Sequence, residues 1–172
     1  MKATLEHLLP KLGIGPAEVT IIHHDGKSDL EQSLPRKLRA WQAPGARFLI
    51  LRDKDRAPDC RMVKQRLADI VAAAGKSDVS KVRIVCQELE AWFLADVAAL
   101  RAAGYPAQSK SPAFSRRDPD EISHPVHEME RLRPGYGKIT GASDIAPHLD
   151  PDDDRSSSFR HTVQAIRDLT AV

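Results

Sequence analysis

The chain has 172 residues, of which 41% are apolar and 29% charged, and its net charge is +2. These values are typical of a folded globular protein, so they argue against extensive disorder and against a membrane span. The length suits one domain with a substantial core. The first residues hold no uninterrupted apolar segment, so no signal peptide is predicted and the cytoplasm is the expected location. The weak positive charge permits a nucleic-acid partner without requiring one.

Apolar residues recur at helical and strand spacings from the beginning of the chain. A leucine stripe over residues 5–12 predicts a helix that a proline ends early, and residues 19–23 predict a first strand. An S-x-x-E capping box opens a predicted helix over residues 28–41, which Pro35 divides into two shorter pieces.

Two further apolar runs, at residues 48–52 and 82–86, predict strands buried on both faces. Each run precedes a helical pattern, the first over residues 63–74 and the second over 88–103. Alternating strands and helices with short connections predict an α/β fold, with a parallel sheet flanked by helices on both faces. This core is expected to span residues 1–104.

Residues 105–172 predict an irregular and helical extension of the same single domain. Prolines and serines mark residues 105–125 as a long loop, of the kind that is often functional in a small domain. A short helix is expected over 126–133, a glycine-bearing loop over 134–142, and a last helix after residue 155.

The strand at residues 48–52 runs directly into Asp53 and Asp55. In extended backbone, positions two apart point the same way, so both carboxylates are aimed at one place. Two such carboxylates repel each other unless a cation lies between them, which favours a site for Mg²⁺ or Mn²⁺. Because aspartates are also common in turns and helix caps, the pattern alone leaves a solvated turn open.

The next predicted strand is followed by C-Q-E-L-E-A-W, which brings Glu88 and Glu90 to the same expected edge of the sheet. A cluster of carboxylates can hold a metal ion and leave one group for proton transfer, so both glutamates are candidate catalytic residues and Glu88 a candidate ligand. The alternative is an acidic first helical turn, favoured by the helix dipole. Trp92 and Phe93 are predicted to lie in the core.

Four basic residues are candidate phosphate contacts. Lys27 follows a predicted strand in a glycine-bearing turn, and Lys138 lies in the later glycine-bearing loop. Arg155 and Arg160 surround the start of the last helix. Most basic side chains are exposed surface charges, and these four are the ones expected to orient a polyanionic substrate.

Cys60 and Cys86 are the two cysteines of the chain. They are distant in sequence and form no C-x-x-C motif, which argues for reduced thiols that pack in the fold and against a disulfide framework or a zinc site.

Five ordered motifs extend over nearly the whole chain: L-I-L-R-D-K-D-R, C-Q-E-L-E-A-W-F-L-A-D, Y-G-K-I-T-G-A, I-A-P-H-L and R-S-S-S-F-R-H. Together they resemble a bacterial family catalogued as domain of unknown function 4276, which is similar to the Toprim superfamily. This resemblance implies a Toprim-like fold and Mg²⁺-dependent phosphodiester chemistry. It also implies a role in phage defence, with nucleic acid as substrate and an ATPase as a neighbouring partner.

By this resemblance, Asp53 and Asp55 correspond to the two aspartates of the Toprim D-x-D motif. Glu88 and Glu90 correspond to the two glutamates of the family's C-x-E-L-E-A-W motif. A Toprim domain begins with a strand bearing an acid/base glutamate, and no residue before Leu5 can form that strand here. The first Toprim strand is therefore expected to be absent. A late start of the chain is favoured over a site that uses Glu88 or Glu90 instead.

Three functions remain open from the sequence. The first is a Mg²⁺-dependent nuclease or nuclease-derived effector, and the second is a non-catalytic Toprim-like module that docks on a partner ATPase. The third is another D-x-D enzyme, either a nucleotide-sugar transferase or a haloacid-dehalogenase-type phosphatase. Both rank below the Toprim interpretation. The phosphatase motif is expected near the start of the chain, with Thr or Val two residues after its second aspartate, where this chain has Ala57.

Overall fold

The structure is a computed structural model that describes residues 1–54, 57–106, 118–153 and 155–171. Within these ranges, the α-helices are α1 (Lys2–Lys11), α2 (Gly26–Ala40), α3 (Cys60–Ala73), α4 (Glu90–Ala95), α5 (Val97–Ala102), α6 (Pro125–Leu132), α7 (Lys138–Ile145) and α8 (Ser157–Thr170). The strands are β1 (Phe48–Asp53) and β2 (Ser80–Val85). Short 3-10 helices cover Ser77–Val79, Pro119–Glu121 and Ala146–His148.

Strands β1 and β2 form a parallel pair in which Phe48 is opposite Ser80 and Asp53 is opposite Val85. The strands predicted at residues 48–52 and 82–86 and their parallel orientation are confirmed. The connection between them contains α3, which packs against β2 as the crossover of a βαβ unit does.

Helices cover both faces of the sheet, as predicted. On one face, Ile50 and Ile84 pack with leucines of α2 and with apolar residues of α3. On the other face, Leu49, Leu51 and Val85 join a larger cluster built from α1, α4 and α8. Alternate strand residues supply the two clusters, because successive side chains of a strand point to opposite faces.

Residues 19–23 have no regular secondary structure, so the predicted strand there is wrong. Val19 and Ile21 pack against the larger cluster, whereas Ile22 is 44% exposed. The strand-like spacing of apolar residues in this segment arises because one side of an extended backbone packs against the core. Periodicity reports burial, and it does not report whether the backbone pairs with a strand. Across the part of the chain that the structure describes, the sheet has two strands.

Helix α2 begins before the predicted capping box and is not divided by Pro35. The chain enters the helix through Gly26 at a φ of 84°, a conformation that side-chain-bearing residues rarely adopt. The helix then continues through Pro35 to Ala40. Proline removes one helical hydrogen bond, and the burial of Leu34 and Leu38 beside it against the sheet offsets that loss.

The helix predicted over residues 88–103 is two helices that meet at Asp96. The Asp96 carboxylate accepts hydrogen bonds from the Ala99 amide and from the Asp150 amide, each at 2.8 Å. The Asp96 side chain therefore caps α5 and also binds the backbone of the loop that precedes α8. Aspartate side chains compete in this way with continuous helix formation, and the apolar spacing of the segment does not reveal it.

The predicted helices near residues 126–133 and after residue 155 are confirmed as α6 and α8, and the core positions of Trp92 and Phe93 are confirmed by exposures of 1% and 0%. The glycine-bearing loop is shorter than predicted, because Lys138 is the first residue of α7. The part of the predicted loop at residues 107–117 lies outside the described residues. None of the described helices combines the length and apolar character that crossing a membrane requires.

Candidate functional site

Asp53 is the last residue of β1 and lies at the carboxyl edge of the sheet. The amide of the next residue, Lys54, donates to the carbonyl of Val85 at 2.9 Å, which holds the two strand ends together. Asp53 shares the strand face of Leu49 and Leu51, so its side chain lies on the side of the larger helical cluster. Its Oδ1 atom is buried from solvent. Asp55, the second residue of the D-x-D, lies outside the described residues.

A strained turn follows β2 at the same edge. Gln87 has a φ of 63°, and within the described ranges no other non-glycine residue has a positive φ. Such left-handed conformations are costly for residues with side chains and are frequent at functional sites. Glu88 follows this turn directly, and Glu90 is the first residue of α4.

The amino end of α7 covers both glutamates. The Lys138 Nζ atom donates to Oε1 of Glu88 at 2.8 Å, and the Tyr136 hydroxyl donates to Oε1 of Glu90 at 3.1 Å. Glu90 is only 2% exposed, so its carboxylate is held in the protein interior by this phenol. The Y-G-K motif and the C-Q-E-L-E motif therefore form one polar cluster.

The charge of Asp53 also acts on this cluster. Burial lowers the pKa of Lys138, but the hydrogen bond with Glu88 and the charges of Glu90, Glu88 and Asp53 outweigh it and raise the pKa above its ordinary value. For Tyr136, burial raises the pKa of the hydroxyl, and the negative charge of Glu90 raises it further. At neutral pH the site therefore holds a charged ammonium group and a neutral phenol among carboxylates.

The ring of Tyr136 is held against the backbone of α7. A Cβ atom added at Gly141 would lie 2.1 Å from Cε2 of Tyr136, so no larger residue fits there while the ring stays in place. The glycine of the K-I-T-G-A segment is thus required by the packing of the ring that holds Glu90.

A second acidic group near this edge was missed from the sequence. Asp120 accepts hydrogen bonds from the Ser156 hydroxyl at 3.0 Å, the Ser158 hydroxyl at 2.8 Å and the Ser158 amide at 2.6 Å. Ser158 in turn accepts a hydrogen bond from the indole of Trp92 at 2.9 Å. Burial raises the pKa of the Cys86 thiol to about 12, and the nearby charge of Asp120 contributes to the rise. The serine-rich start of α8 was the only sequence signal for this group of hydrogen bonds around Asp120.

Substitution of Asp120 by Asn is expected to cost more stability at pH 4 than at pH 7. Burial raises the pKa of Asp120, and this outweighs the hydrogen bonds from Ser158 that lower it. A raised folded-state pKa means that the stabilising contribution is complete below the unfolded-state pKa of about 4 and is lost as the pH rises through the folded-state value. Urea unfolding of both proteins across this window measures the difference.

The matched control is Glu121→Gln, which changes an exposed carboxylate in the same 3-10 helix. Its effect on the free energy of unfolding should be small. The effect should not be larger at pH 4 than at pH 7, as it is for Asp120→Asn. A cost of Asp120→Asn that is constant, or that grows with pH, would contradict the assigned direction of the pKa shift.

A family model described as a domain of unknown function, DUF4276, matches residues 1–167. The chain belongs to this family. The match confirms the family resemblance of the five motifs, whereas the Toprim relationship and the bacterial origin stay predictions. Comparisons with curated proteins and with solved structures give no match.

Of the four basic residues predicted to contact phosphate in this DUF4276 chain, Lys138 is the one at the acidic cluster. Lys27 is an exposed residue in the first turn of α2, and Arg160 is exposed on α8. The guanidinium of Arg155 donates to the carbonyl of Ala95 at 2.8 Å, at the carboxyl end of α4. In the described structure, none of these three pairs with Glu88 or Glu90.

The donor chemistry of the cluster fits a hard divalent cation, since carboxylate oxygens are the ligands that Mg²⁺ and Mn²⁺ prefer. Asp53, Glu88 and Glu90 come from two neighbouring strand ends, and Oδ1 of Asp53 is buried at one of them. Considering the described residues only, no three acidic, histidine or cysteine side chains are grouped closely enough to hold a metal ion. In the observed arrangement, the ammonium of Lys138 is the cation that neutralises Glu88.

Proposed function

We propose that this DUF4276 protein is a nuclease that uses Mg²⁺ or Mn²⁺ to cleave phosphodiester bonds of DNA or RNA in bacterial phage defence, on a Toprim-like fold. One observation carries the proposal. Lys138 is hydrogen-bonded to Glu88 and lies in the field of Glu90 and Asp53, at the carboxyl edge of a parallel strand pair. Ligands of α/β sheets bind at this edge.

The residues divide into three proposed roles. Asp53, Asp55 and Glu88 would hold the metal ion, which would supply positive charge for the charge that develops on the phosphate oxygens during cleavage. Glu90, held by the Tyr136 hydroxyl, would be a ligand or relay a proton. Lys138 would contact the phosphate.

Lys138 and a metal ion would compete for the same carboxylate. The ammonium is hydrogen-bonded to Oε1 of Glu88, and its positive charge would repel a cation bound by this group. Binding of the ion would release Lys138, whose side chain is 57% exposed and could then reach a phosphate group at the entrance. The ion pair therefore describes a resting state of the proposed site.

Substitution of Lys138 by Met is expected to raise Mn²⁺ affinity and to lower cleavage. Removing the internal cation leaves Glu88 available, so affinity should rise by about tenfold, which corresponds to about 1.4 kcal/mol of competition. Loss of the phosphate contact should lower cleavage by about tenfold or more. Calorimetry with Mn²⁺ measures the first effect, and cleavage of single-stranded and duplex DNA and RNA with Mg²⁺ or Mn²⁺ measures the second.

Lys64→Met is the matched control, because Lys64 is an exposed lysine on α3. Lys64→Met should change neither the affinity for Mn²⁺ nor the cleavage of DNA or RNA. If the wild-type chain binds no Mn²⁺ and cleaves none of these substrates, the enzymatic proposal is wrong.

A second candidate function is a non-catalytic interaction module that docks on a partner protein such as an ATPase. The observation that favours it is that both glutamates already have partners within this chain, Glu88 with Lys138 and Glu90 with Tyr136. Under this reading Lys138→Met would lower stability slightly, by about 0.5 kcal/mol for a partly exposed pair, and Mn²⁺ would bind to neither protein.

A further inference from the structure

The two cysteines of the chain are in contact. The Sγ atoms of Cys60 and Cys86 lie 3.1 Å apart, although the residues are 26 positions apart in the sequence. Cys60 is the first residue of α3, and Cys86 directly follows β2. Both are free thiols and both are partly accessible to solvent. The fold therefore creates a dithiol that the spacing of the cysteines does not indicate.

We propose that Cys60 and Cys86 form a modification site, a thiol pair that closes reversibly to an intramolecular disulfide. A disulfide bond is about 2.05 Å long, so the two sulfur atoms need to approach by only about 1 Å. Cys60 begins α3 and Cys86 lies just beyond the last paired residue of β2, so a side-chain adjustment at either position leaves the strand ladder in place. This inference does not depend on the proposed nuclease activity.

A metal site is a weaker interpretation of the same pair. Structural Zn²⁺ takes four ligands, and two thiolates supply half of them. Within the described part of the chain, no further cysteine, histidine or carboxylate completes a metal-binding group with these thiols. Thiol–disulfide chemistry needs the two sulfur atoms alone.

The oxidant we assign is a low-molecular-weight disulfide of the glutathione type. One cysteine, as its thiolate, attacks a sulfur atom of the oxidant and displaces one glutathione thiolate, which forms a mixed disulfide. The other cysteine then loses its proton, attacks the protein sulfur of that mixed disulfide and displaces the second glutathione thiolate. Two electrons pass from the protein to the oxidant, and the two thiol protons end on the two glutathione molecules.

The cross-link would join two segments that flank the acidic cluster. The start of α3 would be fixed to the residue that follows β2, and the strained Gln87 turn that carries Glu88 begins at the next residue after Cys86. Oxidation would therefore restrict the turn that leads from β2 into the cluster.

The test uses the full wild-type chain, first reduced and then incubated with oxidised glutathione. Free thiols are blocked with an alkylating reagent before intact-mass analysis. We expect a monomer that has lost two hydrogen atoms and takes up no alkyl group. Its Tm should be about 5–10 °C above that of the reduced protein, because the cross-link constrains the unfolded chain. A thiol reductant should reverse both changes.

Cys60→Ser and Cys86→Ser provide the controls, since each leaves a single thiol that can take up one glutathione but cannot close a bond. The wild-type measurement stands on its own if either variant fails to fold. The proposal is overturned if the wild-type chain carries glutathione on both cysteines, forms a covalent dimer, or stays fully reduced.

Discussion

Replacement of Asp53 by Asn is expected to lower both Mn²⁺ affinity and phosphodiester cleavage by at least about 100-fold. Removing even a supporting contact of a metal site typically costs 10-fold to 100-fold in affinity or activity, and loss of a ligand should cost no less. Asparagine keeps the shape of the side chain at the end of β1 but removes the charge that the cation needs. Calorimetry and a cleavage assay under the same ionic conditions measure the two losses.

Asp78→Asn is the matched control for this variant. Asp78 is exposed in the 3-10 helix at the opposite, amino end of β2, so its removal changes the net charge equally and leaves the cluster untouched. Circular dichroism should show an intact fold in both variants. Equal Mn²⁺ affinity of the wild-type protein and Asp53→Asn would show that the site is not at Asp53.

Replacement of Gly141 by Ala is expected to lower the free energy of unfolding by about 2–3 kcal/mol. The new methyl group would lie 2.1 Å from Cε2 of Tyr136 and 2.8 Å from Cζ, so the ring must leave its position. Displacement of the ring also withdraws the hydroxyl from Glu90, whose carboxylate is almost fully buried. A fall in Tm of about 5–10 °C should accompany this loss.

Two further variants separate the clash from other effects of the substitution. Ser143→Ala changes an exposed position in the same helix and should have little effect on the free energy of unfolding. In a Tyr136→Ala background the clash is absent, so Gly141→Ala should then cost much less than in the wild-type chain. Additive costs of the two substitutions would mean that the ring does not pack on Gly141.

The two strands and their parallel order were predictable from the sequence. The short apolar runs at residues 48–52 and 82–86 each face helices on two sides. A strand that is covered on both faces needs consecutive apolar residues, and this requirement is visible in the sequence. The position of Asp53 at the sheet edge followed from the strand itself. Family membership was likewise predictable, because it depends on ordered motifs and needs no geometry.

The prediction failed where a local pattern had more than one structural cause. Residues 19–23 alternate because one side rests on the core, and Asp96 breaks a helix by capping a new one. Pro35 remains inside α2, because burial beside it outweighs one missing hydrogen bond. In each case tertiary packing decided the outcome, and the local sequence does not record what packs against it.

The sequence by itself determined that this chain has parallel strands, an acidic strand end at Asp53 and a place in its family. Only the tertiary structure decided that Lys138 and Tyr136 bind glutamates 50 and 46 residues away, and that two distant cysteines touch. Periodicity and propensity act over a few neighbouring residues. Contacts between distant side chains depend on how whole elements pack, which no local pattern specifies.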